Sequence, residues 1–293
     1  MPIRDHTLHY GSGVWEGIRA YPTANGMAIF RLDEHVARLL YSAEAFGMKI
    51  SQTTAEIKAA ILRTVALNTE ANPEQGVYIR PIFYYGENMS LPPGDTEIHF
   101  AVTTFPFNYL SAGKPTSLGI SSIRRPDPRT TVVGAKIGGF YANAILASNG
   151  AKSRGFDEAL MLDVKGRVAE GPGANIFLVR NGRISTPQAG HILLGITRAS
   201  IIEIANLELN KPVRERRLRS GKFRRANEVF LTGTAAEVKA VGSIDGKVIG
   251  NGEIGETTQQ LREIYLDIVH GRGDYCRGAK LYREWLTPVP QAA

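Results

Sequence analysis

The sequence predicts a mixed α/β (α+β) fold in two parts: a first part over residues 1–106 and a larger, strand-rich part over residues 116–293. Three observations predict it. Helical and strand patterns both occur in the first part, but nowhere alternate in the regular βαβ order of a dinucleotide-binding sheet. Hairpin signals crowd the second part, where Asn181-Gly182 and Asp245-Gly246 each follow apolar runs. Between the parts, composition changes at Phe107-Asn108-Tyr109-Leu110-Ser111-Ala112-Gly113-Lys114-Pro115, a stretch suited to an interdomain linker over residues 107–115.

The elements follow in order. Asp33 is placed to cap a helix whose apolar stripe is Val36, Leu39, Leu40 and Ala43. A second helix is expected after Thr54, through Ile57, Ile61 and Val65. Residues 77–85 are rich in β-branched and aromatic side chains and read as a strand. Alternation puts Tyr78, Arg80, Ile82 and Tyr84 on one face, and Pro81 asks for an edge position or a bulge. Strands are expected at 99–105, 117–123 and 158–164, the last turning at Lys165-Gly166. Residues 174–179 should pair with 183–186 across Asn181-Gly182. Gly195-Ile196-Thr197 opens a helix through Ile201, Ile204 and Ala205. A short strand at 229–231 runs into Thr232-Gly233-Thr234, and a terminal helix covers about 255–270.

Composition narrows the function. Hydrophobic residues make up 43% of the 293 and charged ones 22%, a balance that suits a globular protein with a substantial core. No apolar run approaches the length of a membrane helix, and the first residues carry no signal-peptide core. The single cysteine, Cys276, excludes an internal disulfide and suits a cytoplasmic protein. The net charge of +7 raises the question of nucleic acid, and the basic residues are densest from Arg214 to Arg225. Phe223 is the one aromatic there, so a solvated face explains the run better than a nucleic-acid site. No phosphate loop, dinucleotide fingerprint or nucleophile elbow occurs. His6-x-x-His9 has helix spacing but no carboxylate or thiolate beside it, and no metal site is expected.

Six places carry groups with chemistry. Lys136 sits in Val133-Gly134-Ala135-Lys136-Ile137-Gly138-Gly139; a lysine in such an apolar, close-packed setting loses solvation, and its lowered pKa makes it nucleophilic toward an aldehyde. The other reading of Lys136 is a plain surface charge, as most lysines are. Glu170-Gly171-Pro172-Gly173-Ala174-Asn175 puts a carboxylate before a tight turn, suited either to a pyridinium nitrogen or to plain exposure. Gly195-Ile196-Thr197-Arg198 offers a helix N-terminus, and Thr232-Gly233-Thr234-Ala235-Ala236-Glu237 offers hydroxyls and N–H groups; either is an anion site or an ordinary cap or loop. Arg38 lies off its helix's apolar stripe, as a solvated arginine or a phosphate partner. Tyr78 and Arg80 set a phenol beside a guanidinium, a pair that suits a carboxylate, and an inward arginine calls for an acidic partner.

These motifs stand in one order along nearly the whole chain: Leu8-His9-Tyr10-Gly11-x-x-Val14-Trp15-Glu16-Gly17-Ile18-Arg19, His35-x-x-Arg38-Leu39, Tyr78-Ile79-Arg80-Pro81, Ala135-Lys136-x-Gly138-Gly139-x-Tyr141, Glu170-Gly171-x-Gly173-x-Asn175, Gly195-Ile196-Thr197-Arg198 and Gly233-Thr234-Ala235-Ala236-Glu237. The chain thereby resembles the fold-type IV pyridoxal-phosphate enzymes, and among them the branched-chain amino-acid aminotransferases. The resemblance implies a small α/β domain, a larger β-rich domain and a site between them. It implies that Lys136 forms the Schiff base and moves the proton between substrate Cα and the cofactor, that Tyr141 faces the cofactor O3′, and that Glu170 keeps the pyridine nitrogen protonated. Arg38, the amides of Ile196 and Thr197 and the hydroxyl of Thr234 would hold the phosphate, with Asn175 in the same cofactor set. Tyr78 and the backbone of Thr234-Ala235 would receive the substrate carboxylate, Arg80 would meet the side-chain carboxylate of glutamate, and Tyr10, Trp15 and Tyr109 would line the side-chain pocket.

The activity so implied is ping-pong transfer of an amino group between leucine, isoleucine or valine and 2-oxoglutarate. It would occur in a homodimer or higher oligomer whose partner loop near residues 86–94 helps close the site. Two departures stand out. The family usually carries a further opening segment with a β-hairpin before the Leu8-His9-Tyr10 motif, so either the start is truncated or the small domain has an exposed sheet edge. Its common Gly-Glu-Asn is here Gly173-Ala174-Asn175. D-Amino-acid and amine transaminases and aminodeoxychorismate lyase share the fold; Tyr78-x-Arg80 and Gly233-Thr234-Ala235-Ala236 favour the branched-chain type. A non-catalytic ligand-binding descendant is the alternative from another class.

Overall fold

Strand Val77–Tyr85 organises the first part of the molecule. It pairs along its whole length with Ile98–Pro106 on one side, and on the other with Ile18–Thr23 and then Val14–Trp15, all antiparallel. The strand is therefore central and its register unbroken, so Pro81 takes neither the edge position nor the bulge expected of it. Pro81 falls where the neighbouring strand changes. Its carbonyl accepts from the Glu16 N–H at 3.0 Å. The N–H and C=O of a strand residue point the same way, so the bond Pro81 cannot donate is the reciprocal one to the Glu16 carbonyl, and the ladder is interrupted at Glu16-Gly17. Strand Gly26–Phe30 extends the sheet, and Leu286–Pro288 returns from the end of the chain to pair with it.

The structure, a computed structural model, describes residues 2–69, 76–106 and 114–291; Tyr109 and most of the 107–115 stretch lie outside the described residues. Helices Leu32–Ala45 and Thr54–Thr69 cover one face of the first sheet. Val36, Leu39, Ala43, Ile57, Ile61 and Val65 are fully buried in one cluster with Ile79 and Phe83, while Leu40 is only partly buried. Each large aliphatic so buried contributes on the order of 1.5–3 kcal/mol. Asp33 is not the cap expected of it. Arg31 occupies that position with left-handed backbone (φ 51°), and Asp33 lies in the first turn, where its charge suits the helix dipole and pairs with Lys58.

The second sheet has nine strands among the described residues, in the order Arg214–Arg216, Arg183–Pro187, Asn175–Arg180, Glu228–Gly233, Glu237–Ile244, Thr116–Ile120, Glu158–Leu162, Val168–Glu170, with Lys247–Val248 beside Glu237–Ile244. The two predicted tight hairpins form with both turn residues at positive φ: Asn181 50° and Gly182 71°, Asp245 48° and Gly246 72°. Thr116–Ile120 is shorter than the 117–123 expected, and it runs parallel to Glu158–Leu162. Parallel neighbours need a crossover, and helix Tyr141–Lys152 supplies it. The sequence reading does not pick out this helix. Its contact with Ala159 and Met161 is made by Ala147 and Ala151, while Ile145 and Leu146 are exposed, which blurs the helical period. Lys136 lies in the connection that leads into it. The helix expected near 255–270 forms as Glu256–Val269. It is not the last element, because the short helix Ala279–Glu284 and strand Leu286–Pro288 follow it, too brief to show a period.

Candidate active site

A cavity of about 420 Å³ opens between the two sheets. Trp15, Gly17, Tyr78 and Arg38 face it from the first part of the chain; Glu170, Asn175, Ile196, Thr197, Thr234 and Ala235 face it from the second; Lys136 and Tyr141 line it from the crossover connection.

Lys136 is held by its backbone. Its N–H donates to Ser42 Oγ (2.9 Å) and its carbonyl accepts from the Trp15 N–H (3.2 Å). The N–H groups of Gly138 and Gly139 donate to the carbonyls of Gly13 (2.7 Å) and Gly11 (2.9 Å). The chains approach so closely that a Cβ on Gly11 would lie 2.8 Å from Gly139 Cα. The glycines of these two motifs thus answer one another across space. The Lys136 side chain donates to the Tyr141 hydroxyl (2.5 Å), and Nζ lies 3.9 Å from the centre of the Trp15 ring. Burial lowers the Lys136 amine to about 8, the nearby Glu16 charge working against the shift and Arg38 with it. Neutral, nucleophilic amine is therefore present near physiological pH. Burial likewise pushes the Tyr141 phenol up, so it is protonated there.

Glu16 is a site residue that the sequence reading passed over. It is fully buried, and it accepts from Arg38 Nε (2.7 Å) and Nη2 (2.8 Å) and from His35 Nδ1 (2.7 Å). Burial would raise its carboxyl, but the Arg38 charge and the hydrogen bonds from Arg38 and His35 outweigh it, and Glu16 stays ionised well below the usual carboxylate range. Burial lowers His35, which suits a neutral ring donating through Nδ1–H. Arg38 is thus no solvated arginine: its side chain is 14% exposed. Nη1 donates to the Leu194 carbonyl (2.9 Å), and since a guanidinium has five N–H groups, some stay free for an anion in the cavity.

Glu170 is buried where its strand ends. It accepts from Asn175 Nδ2 (2.8 Å) and the Leu193 N–H (3.2 Å), and Arg125 Nε lies 2.7 Å away. Burial raises its carboxyl and Arg125 opposes this, with the upward effect prevailing. Of its two readings, the exposed turn residue is excluded. Arg125 is a second residue the sequence did not single out.

Helix Ile196–Leu207 begins at Gly195 with no side-chain cap, leaving its first N–H groups to the cavity. A Cβ at Gly195 would strike Asn175 Oδ1 at 2.1 Å, so the glycine lets Asn175 bridge Glu170 and the Leu193 carbonyl. Residues 234–236 form the tip of a tight hairpin closed by Glu237 in left-handed conformation (φ 51°). The Thr234 hydroxyl donates to the Gly17 carbonyl (2.9 Å), so the loop's N–H groups are what it presents to an anion.

Two predicted residues stand apart from the cavity lining. Tyr10 is 40% exposed and donates to the Met89 carbonyl (3.0 Å). Arg80 shares its strand face with Tyr78 as expected, but has no carboxylate partner among the described residues. Its guanidinium lies 3.8 Å from the centre of the Trp15 ring, its Nη2 is 3.5 Å from the Tyr78 hydroxyl, and its Nε is buried without a partner. His6 and His9 turn to different atoms, Ser12 Oγ and the Ile3 carbonyl, and no metal-binding group of side chains occurs among the described residues.

The sequence profile of the class IV amino-transferases matches residues 13–244, and the chain belongs to that family. Within it, the chain is similar to a probable branched-chain-amino-acid aminotransferase of Aquifex aeolicus, with 39% identity over 99% of this chain and 92% of the relative. Two solved structures agree. The branched-chain amino acid aminotransferase of Thermobaculum terrenum in its PLP form superposes with a TM-score of 0.90 and 34% identity, covering 99% of this chain and 93% of that one. The branched-chain aminotransferase of Thermoproteus uzoniensis with norvaline superposes at 0.91 with 37% identity, covering 99% and 94%.

Proposed function

We propose that the cavity holds pyridoxal phosphate and that the protein transfers amino groups between branched-chain L-amino acids and 2-oxoglutarate, giving branched 2-oxo acids and L-glutamate. One observation carries the reading. A lysine amine poised at about 8 shares a single cavity with a buried carboxylate, Glu170, and with an arginine, Arg38, that keeps free N–H groups beside an uncapped helix start. This donor set fits an aldehyde, a pyridine nitrogen and a phosphate in turn, and class IV amino-transferases depend on that cofactor. When bound, pyridoxal phosphate supplies an electron sink for the charge that develops at the amino acid's Cα.

The chain's own residues do the rest. Lys136 would hold the cofactor's aldehyde carbon, and its amine is placed to move the proton at the substrate's Cα. Tyr141 donates toward O3′, and Glu170 favours a protonated ring nitrogen. Arg38, the N–H groups of Ile196 and Thr197 and the Thr234 loop hold the phosphate. Tyr78 and the Thr234-Ala235 backbone orient the substrate carboxylate. Trp15 gives the branched side chain an apolar wall. Arg80, short of a carboxylate partner, answers the second carboxylate of glutamate. One pocket thus serves both substrates in alternation. Residues 1–106 and 116–293 act as the two domains, with Leu286–Pro288 joining the first sheet, and the working unit is at least a dimer. No helix among the described residues is long and apolar enough to cross a membrane.

The test is direct. With pyridoxal phosphate and 2-oxoglutarate supplied, the protein releases glutamate from L-leucine, L-isoleucine and L-valine and not from D-alanine. Turnover of D-alanine alone would overturn the substrate assignment in favour of a D-amino-acid transaminase.

A further inference from the structure

A second cavity, of about 290 Å³, shares no lining residue with the first. Arg167 and Val168 form one wall, residues 187–192 a second, and Arg216 and Arg217 a third. It draws on the basic run 214–225, which the proposed reaction does not use. Phe223, the one aromatic of that run, is fully buried and cannot stack on a base, which argues against nucleic acid.

The charges in this cavity are unbalanced. Asp163 is its one lining carboxylate, and it is taken up by Arg167 Nε (2.6 Å) and the N–H groups of Lys165 and Arg167. Glu215, on the adjoining strand, pairs with Arg198 (2.6 Å). Arg216 and Arg217 are exposed, and their guanidinium groups have no hydrogen bond or ion pair among the described residues. The tautomer of His191 follows from its neighbour. Arg167 Nη2 lies 3.2 Å from His191 Nε2, and a guanidinium can only donate, so Nε2 accepts and the ring proton sits on Nδ1. That Nδ1 is buried with no partner among the described residues. The cavity therefore offers several cationic forks at about the 300 Å³ where small ligand pockets begin.

The walls lead to the active site. Arg167 and Val168 run into strand Val168–Glu170, which ends in the buried carboxylate. Residues 187–192 run into Leu193 and Leu194; Leu193 donates its N–H to Glu170 and accepts from Asn175, and the Leu194 carbonyl accepts from Arg38. We propose that this cavity binds a phosphate dianion, free or as a monoester, through Arg216, Arg217 and Arg167, and that its occupancy steadies the segment that grips Glu170 and Arg38.

The experiment titrates the cofactor-loaded enzyme, whose active-site phosphate position is already filled, calorimetrically with inorganic phosphate and separately with AMP at constant chloride. The proteins are wild type, R216E/R217E, and K222E/R225E, which carries the same charge change elsewhere in the basic run. Saturable binding is expected in wild type and K222E/R225E, weakened at least about tenfold in R216E/R217E, with transaminase rates in the absence of phosphate alike in all three. Tighter binding of AMP would identify an ester as the ligand, and equal or tighter binding of inorganic phosphate the free anion. No saturable binding of either, or equal binding in R216E/R217E, would overturn the site. Amide exchange over residues 187–194 is expected to slow when phosphate binds; unchanged exchange would overturn the coupling.

Discussion

Lys136→Ala abolishes glutamate formation from L-leucine and 2-oxoglutarate, by at least about 10⁴-fold, while the protein stays folded. The size follows from two roles held by one amine. A positioned general base is worth on the order of 10²–10⁴ in rate, and the same amine is the covalent anchor of the cofactor. Neither Tyr141, whose phenol burial keeps protonated, nor Glu170, tied to Asn175 and Leu193, is free to replace it. The fold survives because Lys136 is fixed through its backbone to Ser42 and Trp15, bonds that alanine keeps, and because its side chain faces the cavity. Initial rates beside thermal melting curves separate the two effects. In the wild type, added leucine shifts the cofactor's visible absorption; in the variant catalytic turnover is lost. A variant retaining a tenth of the wild-type rate would remove Lys136 from the chemistry.

Glu16→Gln is expected to have the largest effect on stability, about 3–5 kcal/mol, because it leaves the enclosed Arg38 charge without its counter-ion. Glu16 is fully buried and holds two Arg38 nitrogens and His35 at once. The loss should be smaller with the cofactor bound, since its phosphate is a second anion for Arg38. Acidity gives an independent check. The native carboxyl lies below its ordinary value of 4.5, so its contribution is complete above that pH and fades as pH falls through the lower native value. The stability gap between wild type and variant, read from denaturant melts, should be level from neutrality down to about 4.5 and shrink on further acidification. A gap that widened toward acid would contradict this role.

The residues legible in the sequence are those whose signal is local. Val77–Tyr85 shows its β-branched and aromatic pattern within one strand, and the helices through Val36 and Ile57 show their stripes. Asn181-Gly182 and Asp245-Gly246 announce their turns because few other pairs accept positive φ twice in succession. Lys136, Glu170 and Arg38 were legible only in company; each alone reads as a surface charge. Glu16 was not legible as a structural ion because its partners lie on a helix reached through the intervening hairpin, and sequence does not show which arginine a carboxylate meets. Arg125 was missed for the same reason, since its contact with Glu170 depends on the path of the crossover connection. Helix Tyr141–Lys152 was missed because alanines make its contact and its larger apolar residues face outward. Arg80 was expected to need an acid and instead stacks on Trp15, an option an aromatic face gives a guanidinium.

The central claim is that Lys136 is the amine that carries the cofactor. Reducing the cofactor-loaded protein with borohydride fixes that link permanently, and peptide mass spectrometry then locates it. The account predicts the phosphopyridoxyl group on the peptide containing Lys136 and on no other lysine. Its presence elsewhere, or its absence from a protein that still forms glutamate from leucine, would contradict the account.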